Sequence, residues 1–271
     1  EIRCNLNFFT WHKSDKIMFN HNLVKFLGID FRLPNEDIEQ IHKDLAWAVQ
    51  NRYEEILFQI LNLAYKEYKC KQLTMGGGCA YNGLANGKIY SNSNFVTQWI
   101  PPAPSDAGSA IGSVIKYLSD THQQVKINNN PFLGPKFKFN GNSDFKKMEW
   151  GELYKFIAKE ISNGKIIGWY HSNIEFGARA LGHRSILADP TSPIMKDRIN
   201  KLIKRREGFR PFAPMVAEEY HAKFFNWVDD VPYMNQVVEV RGEYRDKLKS
   251  VTHIDGTARV QLVPENSNSI L

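Results

Sequence analysis

Five segments of this sequence combine glycine, asparagine, aspartate and arginine in patterns that suit an anionic ligand. The first, GGGCAYNGLANGKI, covers residues 76–89 and follows a predicted short strand at residues 72–75. Glycines directly after a strand let the backbone approach a ligand closely, and their amides can point at a sugar or a phosphate. The nucleotide-binding candidates in this segment are Gly76, Gly77, Gly78 and Asn82. A tight turn between a strand and a helix explains the same glycines equally well, because short glycine motifs often occur by coincidence.

The second segment, PPAPSDAGSAIG, covers residues 101–112 and places Asp106 where a loop gives way to a helix of small residues. A carboxylate there could bind a metal ion or orient a phosphate, and Gly108 would let a ligand approach the helix. Both residues therefore join the nucleotide-binding candidates, and Asp106 is also the candidate metal ligand. The alternative is that Asp106 only caps the helix, which is a common role for aspartate.

The third segment, EFGARALGHRSILADP, covers residues 175–190 and places Arg179 and Arg184 on either side of Gly182. Arginine suits phosphate because its planar fork donates two parallel hydrogen bonds and stays charged. We take both arginines as catalytic candidates. A structural ion pair with Glu175 or Asp189 is the competing explanation.

The fourth segment, IMKDRINKLIKRREGFRPFAP, covers residues 194–214 and is strongly basic. It is predicted to be a helix with Ser192 as its N-cap, Pro193 in its first turn and Gly208 just past its end. Between residues 196 and 210 lie seven basic side chains and only two acidic ones. A solvated basic face is the usual explanation of such a run, but an arginine within FRPF is held in a stiff aromatic turn. The catalytic candidates here are Lys204, Arg206 and Arg210.

The fifth segment, HIDGTARVQ, covers residues 253–261. Asp255 and Gly256 mark a turn, and Arg259 follows in a predicted strand. Taken alone, this segment indicates little about function.

Few elements are needed to position these segments. Residues 1–34 are predicted to be irregular or short-strand material, and a long helix is expected from Glu36, capped by Asn35, to about Tyr68. Further helices are expected after Asp106 and over residues 153–161, and a strand is expected over residues 165–170. Residues 128–146 are rich in Asn, Gly, Pro and Lys, which predicts a linker between domains.

The composition is that of a globular protein. The chain has 271 residues, of which 42% are apolar and 24% are charged, and no segment is apolar enough to span a bilayer. The three cysteines form no CxxC pair, so we expect no zinc site or disulfide framework, and a reducing cytoplasm is the expected location. The net charge of +6 favours anionic partners, among which phosphorylated small molecules and nucleic acid are equally compatible.

The five segments, in this order and approximate spacing, resemble those of the O-carbamoyltransferases that include the NodU-type nodulation proteins and the tobramycin-modifying enzyme. The resemblance implies an α/β fold in two parts. Residues 1–135 would form the C-terminal lobe of a domain of the actin, chaperone and sugar-kinase type. Residues 148–271 would form an α+β, YrdC-like domain.

The resemblance also implies a reaction in two steps. The YrdC-like domain would combine carbamoyl phosphate with ATP to give carbamoyl adenylate and pyrophosphate. The kinase-type domain would then transfer the carbamoyl group to a hydroxyl of a small acceptor, with a bound divalent metal, expected to be iron. A membrane or nucleic-acid partner is not expected, and a homodimer is compatible with the family.

This chain also departs from the family pattern. We expect it to be a fragment that lacks the N-terminal kinase-type lobe, with its paired metal-binding histidines, and the extreme C-terminus. His171 stands where the family would have Gln, and Tyr81 stands where Leu or Asn is usual.

Two other functions stay open. One is the related threonylcarbamoyl-adenylate chemistry of tRNA modification, and the other is a non-enzymatic nucleic-acid-binding module built on the basic helix. The first would call for a broader basic surface, and the second for binding that weakens with salt.

Overall fold

The computed structural model describes residues 3, 5–13, 18–33, 36–124, 130–137, 145–226 and 231–264. The chain divides into two compact units, Glu1–Ile60 and Leu61–Leu271. The boundary falls inside a long helix, and every feature of the candidate site lies in the second unit.

The first unit contains helix α1, His21–Leu27, and most of helix α2, Gln40–Tyr68. The Asn20 side chain accepts a hydrogen bond from the Asn22 amide at the start of α1, and Gly28 ends the helix with φ +66°. The sequence did not predict α1. Helix α2 begins at Gln40 rather than at Glu36, because the Glu36 carboxylate instead accepts a hydrogen bond from the Leu33 amide at 2.7 Å. The expected cap, Asn35, lies outside the described residues.

The second unit opens with two parallel strands, β1 (Gln72–Thr74) and β2 (Thr97–Trp99), in the register Gln72 opposite Thr97. A 3₁₀ turn at Gly78–Tyr81 and two short helices, α3 (Gly83–Gly87) and α4 (Ile89–Asn92), connect them. Helix α5, Asp106–Asp120, follows β2 and confirms the helix predicted after Asp106. Because the carboxyl ends of parallel strands meet at one edge, the segments that follow β1 and β2 come together there.

The rest of the second unit mixes short strands with helices. These elements are α6 (Trp150–Ser162), β3 (Ile167–Tyr170), β4 (Arg184–Leu187), α7 (Met195–Arg198), β5 (Met215–Ala217), α8 (His221–Phe224), β6 (Phe225–Asn226), β7 (Val238–Val240), β8 (Thr257–Ala258) and β9 (Gln261–Val263). Strands β3 and β4 are antiparallel, β5 and β9 are parallel, and β6, β7 and β8 form an antiparallel sheet. Their core contains Val216, Phe225, Val240 and Val260. The α/β expectation is thus confirmed in its broad form, and the predicted helix at 153–161 and strand at 165–170 are present.

The basic helix is shorter than its sequence predicts. It begins at Met195, with Ile194 rather than Ser192 at the N-cap position, and continues as a π-helical turn over Ile199–Lys204. Arg205 then adopts a left-handed conformation with φ +48°, so the chain reverses three residues before the predicted end at Gly208.

The segment predicted as a linker is only partly described. Residues 130–137 lie along residues 173–176, where Gly134 donates to Ile174 O at 2.9 Å and Phe176 donates to Pro131 O at 2.7 Å. Residues 125–129 and 138–144 lie outside the described part, so the domain boundary at residues 135–148 stays a prediction. Within the described residues, no helix has the length and hydropathy needed to cross a membrane.

Candidate functional site

The glycine segment and the start of α5 meet at one edge of the β1–β2 pair. The Gly77 amide donates to Pro104 O at 2.6 Å, and the φ of +89° at Gly77 favours glycine. On α5, a Cβ added to Gly108 would overlap the carbonyl oxygen of Ala103, so only glycine lets the helix approach this loop. The structure therefore brings Gly76, Gly77, Gly78, Asp106 and Gly108 to the same exposed edge, which we call the glycine edge.

Two of the nucleotide-binding candidates lie at the starts of helices. The Asn82 Oδ1 accepts a hydrogen bond from the Ala85 amide at 3.2 Å, so this side chain caps α3. Asp106 occupies the first position of α5, with Ser105 at the N-cap, where a carboxylate complements the helix dipole. The cap explains Asn82 and the position at the helix start explains Asp106 without a ligand, and the predicted roles of both residues stay open.

A buried carboxylate organises the loop that carries Arg179. The Glu175 side chain is fully buried, and its Oε1 accepts hydrogen bonds from the amides of Leu181 and His183 at 2.6 and 3.0 Å. Arg184 Nε lies 3.2 Å from Glu175 Oε2, and Arg184 Nη2 donates to Gly177 O at 2.9 Å. Of the two explanations of Arg184, these contacts favour the structural ion pair.

Arg206 is held firmly by its own loop. Its Nε donates to Asn200 Oδ1 at 2.7 Å, its Nη2 donates to Pro211 O at 3.4 Å, and its guanidinium lies 4.9 Å from the Phe212 ring centroid. Arg210 is exposed on the same loop, and Lys204 is exposed at the end of the π-helical turn. The aromatic frame predicted around Arg210 thus holds Arg206, while Arg210 Nη1 lies 4.0 Å from Glu207.

Arg259 completes a group of guanidinium groups that the sequence did not bring together. Burial lowers the pKa of Arg259 to about 10, and the nearby charges of Arg179 and then Arg206 act in the same direction. The pKa of Arg206 is lowered by burial and by Arg210, against the opposing effect of Glu207. We call the four residues Arg179, Arg206, Arg210 and Arg259 the arginine cluster.

The arginine cluster has too few anionic partners. Among the described residues, no ion pair is formed by Arg179, Arg206 or Arg259, and the buried Nε atoms of Arg179 and Arg259 have no hydrogen-bond partner. Buried charges are normally paired, because removing an ion from water costs several kcal/mol. Of the cluster, only Arg210 has a carboxylate as an ion-pair partner, Glu207, among the described residues. The other three arginines are therefore suited to an anion from solution.

A cavity of about 210 Å³ adjoins the cluster at Phe212. Its walls are mainly apolar, with Ile186, Met195, Ile199 and Val251 among them, while Asp189, Lys196 and Ser250 supply polar groups. An apolar cavity with a few polar groups beside a cationic cluster suits a ligand with a flat apolar part and an anionic part.

The glycine edge and the arginine cluster belong to one continuous structure. The Arg179 guanidinium lies 5.7 Å from the Tyr81 ring centroid, and Tyr81 partly offsets the lowering of the Arg179 pKa by burial. Asn86 Nδ2 donates to Asn235 O at 2.8 Å, and the Val237 amide donates to Gly83 O at 2.9 Å. The glycine segment is thus bonded to residues 235–237.

Two family models account for most of the chain. The model described as the carbamoyltransferase N-terminus matches residues 1–115, and the carbamoyltransferase C-terminus model matches residues 158–271. The chain belongs to the carbamoyltransferase family. The resemblance drawn from the five motifs is confirmed.

Curated carbamoyltransferase-family relatives match most of this chain but are themselves longer. Nodulation protein NolNO of Sinorhizobium fredii is 37% identical over 89% of this chain and 38% of its own length. Nodulation protein NolO of Bradyrhizobium diazoefficiens is 35% identical over 89% of this chain and 46% of its own length. Nodulation protein U of Azorhizobium caulinodans is 36% identical over 73% of this chain and 35% of its own length. The chain therefore spans less than half the length of these relatives.

The metal that the carbamoyltransferase resemblance implies does not fit the residues present. Within the described ranges, no group of three or more His, Cys, Asp or Glu side chains could hold a metal ion. Asp106 is a single exposed carboxylate at a helix start, and one such ligand does not make a protein metal site. The roles proposed for the residues of this chain do not depend on a metal ion.

Proposed function

We propose that this chain carries the site at which an O-carbamoyltransferase converts carbamoyl phosphate and ATP into carbamoyl adenylate. The observation that carries the proposal is the arginine cluster, in which Arg179, Arg206 and Arg259 lie close together without an ion-pair partner among the described residues. Both substrates are anionic, and the reaction concentrates negative charge on departing phosphate groups. Fixed guanidinium groups stabilise such charge where it develops.

The motifs support a division of the chain into two working parts. We assign residues 148–271, which carry the arginine cluster, to a YrdC-like adenylate-forming domain. We assign residues 1–135, which carry the glycine edge, to the C-terminal lobe of a kinase-type domain that would perform the transfer.

The proposed reaction has three steps. Water cleaves carbamoyl phosphate to carbamate and phosphate, and a carbamate oxygen then attacks the α-phosphorus of ATP. The bond between the α-phosphorus and the bridging oxygen breaks, so pyrophosphate leaves and carbamoyl adenylate remains. In the transfer step an acceptor hydroxyl attacks the carbamoyl carbon, its proton passes to water, and AMP departs with the electron pair of the broken bond.

Three residues of the arginine cluster have proposed roles in this reaction. Arg206 is already held by Asn200 and Phe212 and would bind one phosphate in a fixed orientation. The guanidinium groups of Arg259 and Arg179 are partly buried. They would neutralise a second phosphate group and favour its transfer from water into the site. We place the adenine ring of ATP in the neighbouring cavity, where Phe212 and Met195 supply an apolar wall.

The acceptor is expected to bind nearer the glycine edge. This chain covers 38% to 46% of NolNO and NolO, so a transfer cleft built from two lobes would need polypeptide that this chain does not contain. Holding two reactants in register contributes up to about 7–11 kcal/mol to lowering a barrier. We therefore expect this chain alone to bind carbamoyl phosphate weakly and to transfer no carbamoyl group.

The test is calorimetric titration of the chain with fresh carbamoyl phosphate, together with exchange of labelled pyrophosphate into ATP. Arg206→Lys keeps the charge but loses the planar fork, so binding should weaken by about 1.5–3 kcal/mol, the value of one charged hydrogen bond. The matched control is Arg198→Lys, since exposed Arg198 lies outside the cluster and, within the described part of the chain, its side chain donates only to Gly164 O. Equal affinity in Arg206→Lys and the wild type would contradict the assignment, and salt-sensitive binding of generic RNA in place of carbamoyl phosphate would favour the nucleic-acid alternative.

A further inference from the structure

Asn200 is a buried asparagine directly before the loop that carries Arg206 and Arg210. Only 1% of it is exposed, and it lies in the π-helical turn Ile199–Lys204. Its side-chain Nδ2 donates to Arg210 O at 2.9 Å and to Gly208 O at 3.3 Å. Its Oδ1 accepts from Arg206 Nε at 2.7 Å, and its own carbonyl accepts from the Arg206 amide at 3.1 Å.

These contacts tie the loop together at both ends. The chain reverses at Arg205, whose left-handed φ of +48° is unusual for a residue other than glycine. A π-helical turn is itself rare and is frequent at functional sites, because it places an extra residue in the turn and changes where side chains point. The strained reversal is held by one side chain that bonds both Arg206 and the carbonyls beyond it.

Asparagine is the residue whose chemistry fits this position. The site needs one acceptor, for Arg206 Nε, and two donors, for the carbonyls of Gly208 and Arg210. The amide of asparagine offers both in one plane. Aspartate has the same shape but offers no donor when ionised, and alanine offers neither.

We propose that Asn200 is a positioning residue that aims the Arg206 guanidinium at the anion in the arginine cluster. The inference rests on the proposed carbamoyl-phosphate site, and Asn200 itself does not contact the ligand. Bonds within the described residues engage the Nε–H and one Nη2–H of Arg206. In this proposal the remaining N–H groups of Arg206 are the ones that bind the anion.

The chain offers a closely matched control in Asn235. It is also buried, and its Nδ2 donates to Ile100 O at 2.9 Å and to Pro101 O at 3.3 Å, but no hydrogen bond among the described residues joins its side chain to an arginine. Asn200→Asp and Asn235→Asp therefore lose the same two donated bonds, and the loss falls on the arginine loop only in the first. Asn200→Ala removes the acceptor as well.

The first measurement is the affinity for carbamoyl phosphate in the three variants and the wild type, alongside their melting temperatures. We expect a smaller loss of stability in Asn200→Asp than in Asn235→Asp, because only the first carboxylate can pair with a guanidinium, that of Arg206. Affinity should fall about tenfold to a hundredfold in Asn200→Ala, the range for losing one hydrogen bond to a charged group, and should be unchanged in Asn235→Asp. Asn200→Asp keeps the acceptor for Arg206 Nε and loses only the two donated bonds. Unchanged affinity in folded Asn200→Ala would overturn the inference and make Asn200 a structural residue only.

The second measurement needs no ligand. In a spectrum of protein labelled with ¹⁵N-arginine, the bonded Nε–H of Arg206, assigned by its absence in Arg206→Lys, should exchange slowly with solvent. That protection should be lost in Asn200→Ala and kept in Asn235→Asp. If the wild type binds neither carbamoyl phosphate nor pyrophosphate, the proposed function fails. The Nε–H signal still decides the inference, because protection that survives Asn200→Ala would refute it.

Discussion

Replacing Arg259 by methionine should stabilise the ligand-free chain while destroying the proposed anion site. The Arg259 guanidinium is partly buried, and its Nε has no hydrogen-bond partner among the described residues. Burial, and then the charges of Arg179 and Arg206, lower the pKa of Arg259 to about 10. A lowered pKa in a cation means that the folded protein disfavours the charged form. Methionine has a similar length and shape and carries no charge, so it should relieve this cost without leaving a large cavity.

The magnitude follows from the pKa. A fall from the ordinary arginine value to about 10 corresponds to about 3 kcal/mol at neutral pH. Solvent screening of the partly exposed guanidinium and the loss of its packing reduce the expected gain to about 1–2 kcal/mol. For a chain of this size, that gain corresponds to an increase in Tm of roughly 2–8 °C.

The assay is thermal unfolding of the wild type and Arg259→Met, each with and without carbamoyl phosphate. At a concentration of about 100 times Kd, the ligand should stabilise the wild type by about 2.7 kcal/mol and the variant hardly at all, so the order of stabilities should reverse. The control is Arg52→Met, which removes an equal charge from a side chain that is 68% exposed and should change stability by less than about 0.5 kcal/mol. An Arg259→Met chain that is clearly less stable than the wild type without ligand would refute the reasoning.

Three further predictions concern stability. Glu175→Gln should lower the free energy of unfolding in urea by about 2–4 kcal/mol, because the buried carboxylate binds Arg184 and the amides of its own loop; a loss below 1 kcal/mol would show that the pair is dispensable. The pKa of His253 is lowered by burial, and by Arg259 and Lys196, against Asp255. The unfolded chain then binds the proton more readily, so the contribution of His253 to stability is complete above about pH 6.5 and is lost as the pH falls. His253→Gln should reduce the change in the urea midpoint of unfolding between pH 7.5 and 5.5. A pH dependence equal to that of the wild type would contradict this. Within α5, Gly112→Ala should increase the free energy of unfolding by about 0.5–1 kcal/mol, and so raise the Tm, because alanine has the higher helix propensity and its Cβ meets open space. Gly108→Ala should lower the Tm because its Cβ overlaps Ala103 O; equal effects of the two substitutions would refute the predicted close approach.

Local signals predicted the parts of the fold that local interactions determine. The start of α5 at Asp106, the strand β1 and the helix α6 follow from capping residues and apolar periodicity, and all three are present. The end of the basic helix did not follow from such signals. Its π-helical turn and the reversal at Arg205 depend on how the Asn200 side chain bonds a loop that comes later in the chain.

The candidate site was predictable only in part, for the same reason. Arg206 and Arg210 stand out because a basic run meets a stiff aromatic turn within a few residues. Arg259 lies 80 residues after Arg179, and a single arginine after a turn carries no local signal. Only the tertiary structure shows that these two charges approach each other.

Arg184 and Arg259 differ in whether a ligand is needed to balance their charge. Arg184 lies 3.2 Å from a fully buried carboxylate, so its charge is balanced within the protein and its presence needs no ligand. Arg259 is more deeply buried and has other arginines as its charged neighbours, so its charge raises the free energy of the empty fold. Methionine or leucine at this position would avoid that cost. Selection for stability alone would therefore favour either residue over arginine. No ion-pair partner of Arg259 lies among the described residues, which agrees with our proposal that an anion balances its charge. One anion with several phosphate oxygens can bind three guanidinium groups at once.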